Sequence, residues 1–327
     1  PSFQLFRSPL ILLNNMNRIS HLMNPKITLI VASVLLFTGA CDPYTQDSYT
    51  EQVVVEAYLT SGNLMPPLRL SSTAEATVFY SFEQLALRNA QVMIWELDEQ
   101  SEQKESRITY EEESPGIYQP TEKHRVIPGA KYLLEIIHPD YQTISAQTQV
   151  PKDFSILNGI PDTLRYQSNE QLSLELSAEA TEQGQNYYII NTVAKNPFEE
   201  LLTPFYREFL VDTKEEEKEQ NLQELRINSS GILNEGNFER NQAGNIEIRY
   251  PWLAVAFFGE NAIIPTVIDK NLYNYIRSES VQLGGSTLSP GEIQNVLTPI
   301  RGGVGIFGSM ARDTANTLIL PLEISFP

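Results

Sequence analysis

A chain of 327 residues, 41% hydrophobic and 20% charged, has the composition of a globular protein and room for two domains of ordinary size. Its formal net charge is −18; Arg7, Arg18 and Lys26 all precede the first acid, Asp42, so the part after Cys41 is three charges more negative, at −21. Such a body repels phosphate backbones, which disfavours nucleic acid as a partner, and a lone cysteine excludes an intramolecular disulfide and a thiolate zinc site.

From Met23 the chain reads MNPKITLIVASVLLFTGAC. Lys26 forms a short basic region, and Ile27 to Phe37 is an uncharged run that as a helix would cover only about half of a ~30 Å hydrocarbon core. That is a secretory signal rather than a membrane span. The small residues Thr38, Gly39 and Ala40 suit a signal-peptidase pocket, and Cys41 follows at once. The order is that of a lipobox, in which the cysteine sulfur receives diacylglycerol before cleavage. Thr38 departs from the usual leucine, and the alternative is an ordinary signal peptide cut near Ala40. Residues 1–22 read as an upstream extension, with Met16 or Met23 as the start. Two or three acyl chains would hold the body at a bilayer, each buried methylene adding about 0.8 kcal/mol. Residues 42–52, DPYTQDSYTEQ, form a polar tether.

Residues 53–151 read as a first domain. VVVEAYLT, PPLRLSST and NAQVMIWEL are strand patterns, the last apolar on both faces and so central. RITYEEESPGIYQP and VIPGAKYLLEIIHPDYQTISAQTQVP each place a Pro-Gly turn beside strands. Six or seven short strands at close spacing predict a mainly β fold that opens with an immunoglobulin- or transthyretin-like β-sandwich. Trp95 is expected in the core, with a ligand platform as the rarer fate of a strand tryptophan.

Residues 152–327 read as a second β-rich domain with a helical insertion. LSLELSA and NYYIINTVA predict strands at 172–178 and 186–194. Val211 to Arg226, rich in Lys and Glu, predicts an exposed helix or a mobile loop. Residues 246–259 predict a buried strand interrupted near Pro251. The spacing of Ile268, Leu272, Tyr275 and Ile276 predicts a helix over 266–283, and TLILPLEISF a closing strand.

Gly303-Val304-Gly305-Ile306-Phe307-Gly308 matches G-x-G-x-x-G letter for letter. A dinucleotide fingerprint needs a long helix and a second strand behind it, and the residues after Gly308 are too few and strand-like. The glycines are better explained by tight turns or by close approach of another backbone. No H-E-x-x-H, G-x-S-x-G or phosphate-loop pattern occurs. His124 and His138, the histidines after Cys41, sit beside turn residues without a ligand at metal spacing. The expectation is a protein without catalytic residues, metal or cofactor.

Together Cys41, VVVEAYLT, the turns PGIY and PGAKY, QTQVP, GQNYY and GGVGIFG resemble a Bacteroidota lipoprotein family built on domain of unknown function four-two-four-nine. Where the family tends to carry Asn-Ile-x before the double glycine, this chain has Pro299-Ile300-Arg301. The resemblance implies a lipid-anchored protein of the outer membrane, on either face, with an accessory role beside a TonB-dependent β-barrel receptor in nutrient uptake. A structural or adhesive surface module is the alternative, and a glycan hydrolase a third, which would need two carboxylates about 5 to 9.5 Å apart in a cleft.

Overall fold

The computed structural model describes residues 49–322 except 76, 159, 169–171, 178–184, 212 and 284–295. Cys41 and the recognition residues Thr38, Gly39 and Ala40 therefore lie outside the described residues. The chain from Glu51 onward forms one compact unit.

The fold is mainly β. Seven strands fill the first half: β1 (Val53–Thr60), β2 (Leu68–Ser72), β3 (Gln91–Leu97), β4 (Lys104–Ser114), β5 (Ile117–Pro120), β6 (Lys131–His138) and β7 (Tyr141–Gln149), with a one-turn helix α1 (Phe82–Leu85) after β2. Alternation decides which side chains face inward: Val53, Val55, Ala57 and Leu59 of β1 are buried, as are Tyr132, Leu134 and Ile136 of β6. These strands are hydrogen-bonded in the order β1-β2-β5-β4-β3-β6-β7, so β3 is central as its two-faced pattern predicts. Their inner faces enclose one core. Trp95 is not in it. Val92 and Ile94 point inward, so the next residue must point out; Trp95 lies half-buried on the outer face, its Nε1 donating to Glu135 at 2.6 Å under the ammonium of Lys104.

The two Pro-Gly turns each deliver a tyrosine to this core. Tyr118 is fully buried, its hydroxyl donating to the Leu87 carbonyl (2.9 Å) and accepting from the Ala90 amide (3.0 Å). Tyr132 is likewise buried and accepts from the Ile127 amide at 3.0 Å; burial pushes its phenol up to about 12, so it stays neutral. The Pro-Gly-x-Tyr pattern is thus a turn followed by a core side chain whose polar tip satisfies loop backbone.

The second half adds β8 (Ile156–Asn158), β9 (Thr163–Arg165), β10 (Ser173–Leu176), β11 (Tyr187–Ala194), α2 (Pro204–Leu210), α3 (Glu215–Leu225), β12 (Ile227–Ser229), β13 (Leu233–Asn234), β14 (Ile246–Arg249), β15 (Gly259–Ile268), α4 (Lys270–Leu283), β16 (Val304–Arg312) and β17 (Ala315–Leu320). The Lys/Glu-rich insertion is helical as α3. The strand expected over 246–259 stops at Arg249; after Pro251, Trp252–Ala254 make one 3-10 turn. The helix expected from 266 starts only at Lys270, because Ile263 to Ile268, β-branched at every position but Pro265, completes β15. Asp269 marks the change by accepting the Leu272 amide at 2.9 Å, an N-cap. A second core lies beneath β10, β11, β14 and β15, and β14-β10-β8 form a small separate sheet.

One strand ties the halves together. β16 runs antiparallel to β15 over Met310–Arg312 and parallel to β1 over Val304–Met310, so the main sheet continues from β11 and β15 through β16 into β1. Ile300 and Phe307 thereby enter the first core. At the far end of that sheet β7 returns to meet the approach to β16: Ser145 and Arg301 exchange two backbone hydrogen bonds of 3.0 and 2.8 Å. The glycines make this possible. A Cβ on Gly305 would stand 2.1 Å from the Val55 carbonyl oxygen, on a backbone with φ of +106°. One on Gly303 would stand 2.6 Å from the Val53 oxygen, and one on Gly308 2.6 Å from Leu272 Cγ on α4. The run GGVGIFG is a strand laid against another backbone and a helix, as close approach predicts, and no helix opens from it.

Gly305→Ala should cost at least about 3 kcal/mol in a urea or thermal unfolding experiment or prevent folding, since neither backbone can move without breaking the sheet. Gly244→Ala is the control: its φ is +85° but nothing stands within 4 Å, so the cost should be about 1–2 kcal/mol.

Candidate functional site

A cleft of about 1130 Å³ opens where the β3–β4 turn, the β5–β6 turn, the end of β7, the start of β11 and the first turn of α4 converge. One wall is acidic, carrying Glu96, Asp98, Glu99, Glu102 and Glu105. Asp98 accepts from the Ser101 hydroxyl and amide, which holds its carboxyl below the usual range. Glu102 is paired with Lys131 at 2.7 Å. The opposite wall carries Gln185, Tyr187, Tyr273 and Asn274. Tyr187 and Tyr273 stack with ring centroids 3.8 Å apart, and Arg277 donates to the Tyr273 hydroxyl at 3.0 Å. Lys131, Lys152 and Lys270 line the cleft as well, with Lys131 taken up by Glu102, so acids outnumber bases there. The carboxylates, amides and aromatic pair are groups that recognise hydroxyl- or ammonium-bearing ligands through hydrogen bonds.

The floor is a buried polar chain. Thr148 Oγ1 on β7 lies 2.6 Å from Asp269 Oδ2 and 2.7 Å from Ser309 Oγ on β16, and Ser309 Oγ lies 2.9 Å from the Gln149 carbonyl oxygen. Asn271 adds donations to the Gln147 and Phe307 carbonyls, at 2.6 and 2.8 Å. The three oxygen–oxygen contacts of the chain need three hydrogens. If Asp269 is ionised, Thr148 gives its hydrogen to the carboxylate and Ser309 gives its own to Gln149, leaving the Thr148–Ser309 contact with none. A proton on Asp269 completes the row. Burial points the same way, raising the Asp269 carboxyl above its ordinary range against the lowering effect of Thr148 and the backbone amides. The result is a floor held in one geometry by β7, β16 and α4.

The histidines serve turns. His138 contacts the Arg88 carbonyl at 3.0 Å and accepts from the Asp140 amide at 3.1 Å. His124 Nε2 lies 3.7 Å from a Glu96 oxygen. Among the described residues no three His, Cys, Asp or Glu side chains gather as a metal site, and no helix is long and apolar enough to cross a membrane. A second surface feature is aromatic. Phe205 and Phe209 of α2 are exposed, with ring centroids 5.2 Å apart, beside exposed Phe198 and Val211. The neighbouring Tyr206 holds α2 down by donating to the Leu253 carbonyl at 2.7 Å. Sequence reasoning finds neither the cleft nor this patch. The Asp269 cap is the one local signal available, an aspartate before the helical pattern.

Asp269→Asn should preserve the floor, because the amide oxygen can cap Leu272 and the amide nitrogen can donate to Thr148 as a protonated carboxyl does. An acid whose folded pKa is raised stabilises below its unfolded value of about 3.9 and loses that stability as pH rises through the folded value. Urea unfolding across pH 4 to 8 should therefore show the parent losing ground to Asp269→Asn as pH rises, whereas Asp269→Ala should be weaker by about 1–3 kcal/mol at pH 4. A parent-to-Asn difference independent of pH would mean that Asp269 carries no extra proton.

Comparison with curated proteins gives no match. Among solved structures, trypsin-activated alpha-2-macroglobulin from Escherichia coli is similar at 11% identity and a TM-score of 0.20, over 68% of this chain and 15% of that one. A tetra-tandem repeat from the extending region of a large adhesion protein is similar at 9% identity and 0.21, over 83% and 49%. Three N-terminal domains of the bacteriophage RB49 outer capsid protein Hoc are similar at 8% and 0.22, over 84% and 71%. This chain thus spans only a small part of the macroglobulin it matches, and at such scores its fold is defined by its own topology. The sequence profile of Domain of unknown function (DUF4249) matches residues 41–316, from the lone cysteine through the glycine-rich β16 to the start of β17, and the chain belongs to that family.

Proposed function

We propose that the protein is a lipid-anchored binding protein of the outer membrane that takes a hydroxyl- or ammonium-bearing ligand into the cleft beside α4 and assists a TonB-dependent β-barrel receptor in its uptake. The observation that carries this reading is the cleft: its floor is fixed by the Asp269–Thr148–Ser309 chain while its walls present carboxylates and amides. Pre-set donors and acceptors bind without a large ordering cost. Catalysis is not part of the proposal. The anchor is supported by Cys41, which stands directly after the apolar run and small residues. A protein partner is supported by Phe205 and Phe209 on α2 and Phe198 ahead of it, since aromatic side chains left in water are typical anchors of a docking surface.

Intact mass of the processed protein should show Cys41 as the first residue, carrying diacylglycerol; a bare thiol there would remove the anchor. Capture from membranes solubilised in mild detergent should bring a large β-barrel with it. The double variant Phe205→Ser, Phe209→Ser should lower that recovery at least tenfold, with the mass of the N terminus unchanged. Recovery of the protein alone in several mild detergents would remove the receptor from the proposal.

A further inference from the structure

The chain leading back to Cys41 and the loop that follows β2 leave the body side by side. Val53 of β1 is paired with Ser72 of β2, the Thr73 amide donates to the Gln52 carbonyl at 2.9 Å, and the Gln52 amide donates to the Thr73 hydroxyl at 3.0 Å. From there the loop runs to α1, which is fixed in turn: Leu87 donates to the Leu70 carbonyl at 3.0 Å, and Arg69 lies 4.2 Å from the Phe82 ring centroid. Between these two roots the loop presents Val78, Phe79 and Tyr80 outward, at 53%, 93% and 53% exposure, and Tyr49 on the tether side is 43% exposed. Phe79 is thus almost wholly in water on a loop whose two ends are rooted.

We infer that Val78, Phe79 and Tyr80 form a second membrane contact that dips into the headgroup layer of the bilayer holding the lipidated Cys41. The inference rests on the anchor proposed above. Its occupant follows from where the described chain begins. Ten residues lie between Cys41 and Gln52, a length of chain that can reach at most about 40 Å. The loop leaves the body at that same residue, so the anchor brings this end of the molecule to the bilayer. A valine, a phenylalanine and a tyrosine in succession suit the interfacial region, where an aromatic ring loses water while a phenol keeps its hydrogen bonds. The surroundings name the lipid. Glu51, Glu75 and Glu83 lie at this end of a body of strongly negative charge, so the contact fits zwitterionic headgroups and is opposed by anionic ones. One lipid-modified cysteine leaves the body free to swivel, and a second contact would fix which way the cleft faces.

The chemistry of the anchor also supplies the test. Once the Cys41 sulfur carries diacylglycerol as a thioether it is blocked, so Phe79→Cys carries the sole reactive thiol of the full-length processed protein. A nitroxide placed there, with the protein in phosphatidylethanolamine and phosphatidylcholine vesicles, should be more accessible to oxygen than to a water-soluble nickel chelate. The same label at Lys123→Cys, near the opposite end of β1, should show the reverse. In phosphatidylglycerol vesicles the label at 79 should move toward the behaviour of the label at 123. If the protein is acylated and the label at 79 is as wet as that at 123 in the zwitterionic vesicles, the membrane contact is overturned, the anchor stands, and the tip is left for a protein partner. If intact mass shows Cys41 taking a nitroxide as well, anchor and contact fall together.

Discussion

The parallel seating of β16 on β1 is the contact on which the molecule depends. Seven residues of each strand are in register, from Val54 opposite Val304 to Thr60 opposite Met310. Through it one sheet runs from the second half of the chain into the first, Ile300 and Phe307 complete a core otherwise built from residues before Pro151, and Ser309 reaches β7 to finish the cleft floor. No side chain larger than hydrogen is compatible with Gly303 and Gly305 where they meet the backbone of β1. The glycine run of this chain is a requirement of sheet geometry, carried by a strand rather than by a nucleotide-binding turn.

The same contact builds the cleft. Gly308 lets α4 settle on β16, which brings Asp269 and Asn271 to the end of β7. Each partner in that buried chain comes from a different element: Thr148 from β7, Asp269 from the cap of α4 and Ser309 from β16. None has a useful neighbour in sequence, and their roles exist only when all three meet. Burial of Asp269 raises its carboxyl above the ordinary range, and the hydrogen bonds from Thr148 and the Leu272 amide offset part of the cost of keeping that polar group beneath an open cleft.

How much of this was legible in the sequence follows from the range of the interactions. Local alternation was enough for β1 to β7 and for β11, because each places one face on a core. Of the closing strand expected over 317–326 it found only Thr317–Leu320, since β17 spans Ala315–Leu320, Pro321 and Leu322 lie beyond it and 323–327 fall outside the described residues. Pro-Gly before Tyr118 and Tyr132 marked two turns correctly. Where two local patterns competed, reading failed at the border. Ile268 fits the helical spacing of Leu272 and Ile276, yet it ends a β-branched run and belongs to β15, with Asp269 as the boundary. Trp95 was misread for a related reason: residue type suggested the core, while the parity of Val92 and Ile94 had already assigned it to the outer face. The cleft, the Asp269 chain and the aromatic face of α2 were illegible, since they depend on elements more than a hundred residues apart or on which helix face remains uncovered. The apolar segment and Cys41 remain matters of sequence, as they precede the described residues.

The separation of β1 from its parallel partner bears on how the chain becomes a protein. The first strand to be made must wait for one about 250 residues downstream before one of its edges is covered. Until then a row of unpaired amides and carbonyls flanked by valines is open to the wrong neighbour. Closing so long a loop is entropically slow, and nothing local can substitute for it. Pairing of β16 with β1 thus spans nearly the whole described chain, and a holdase that shields β1 until that pairing forms would cover an edge that nothing local can cover.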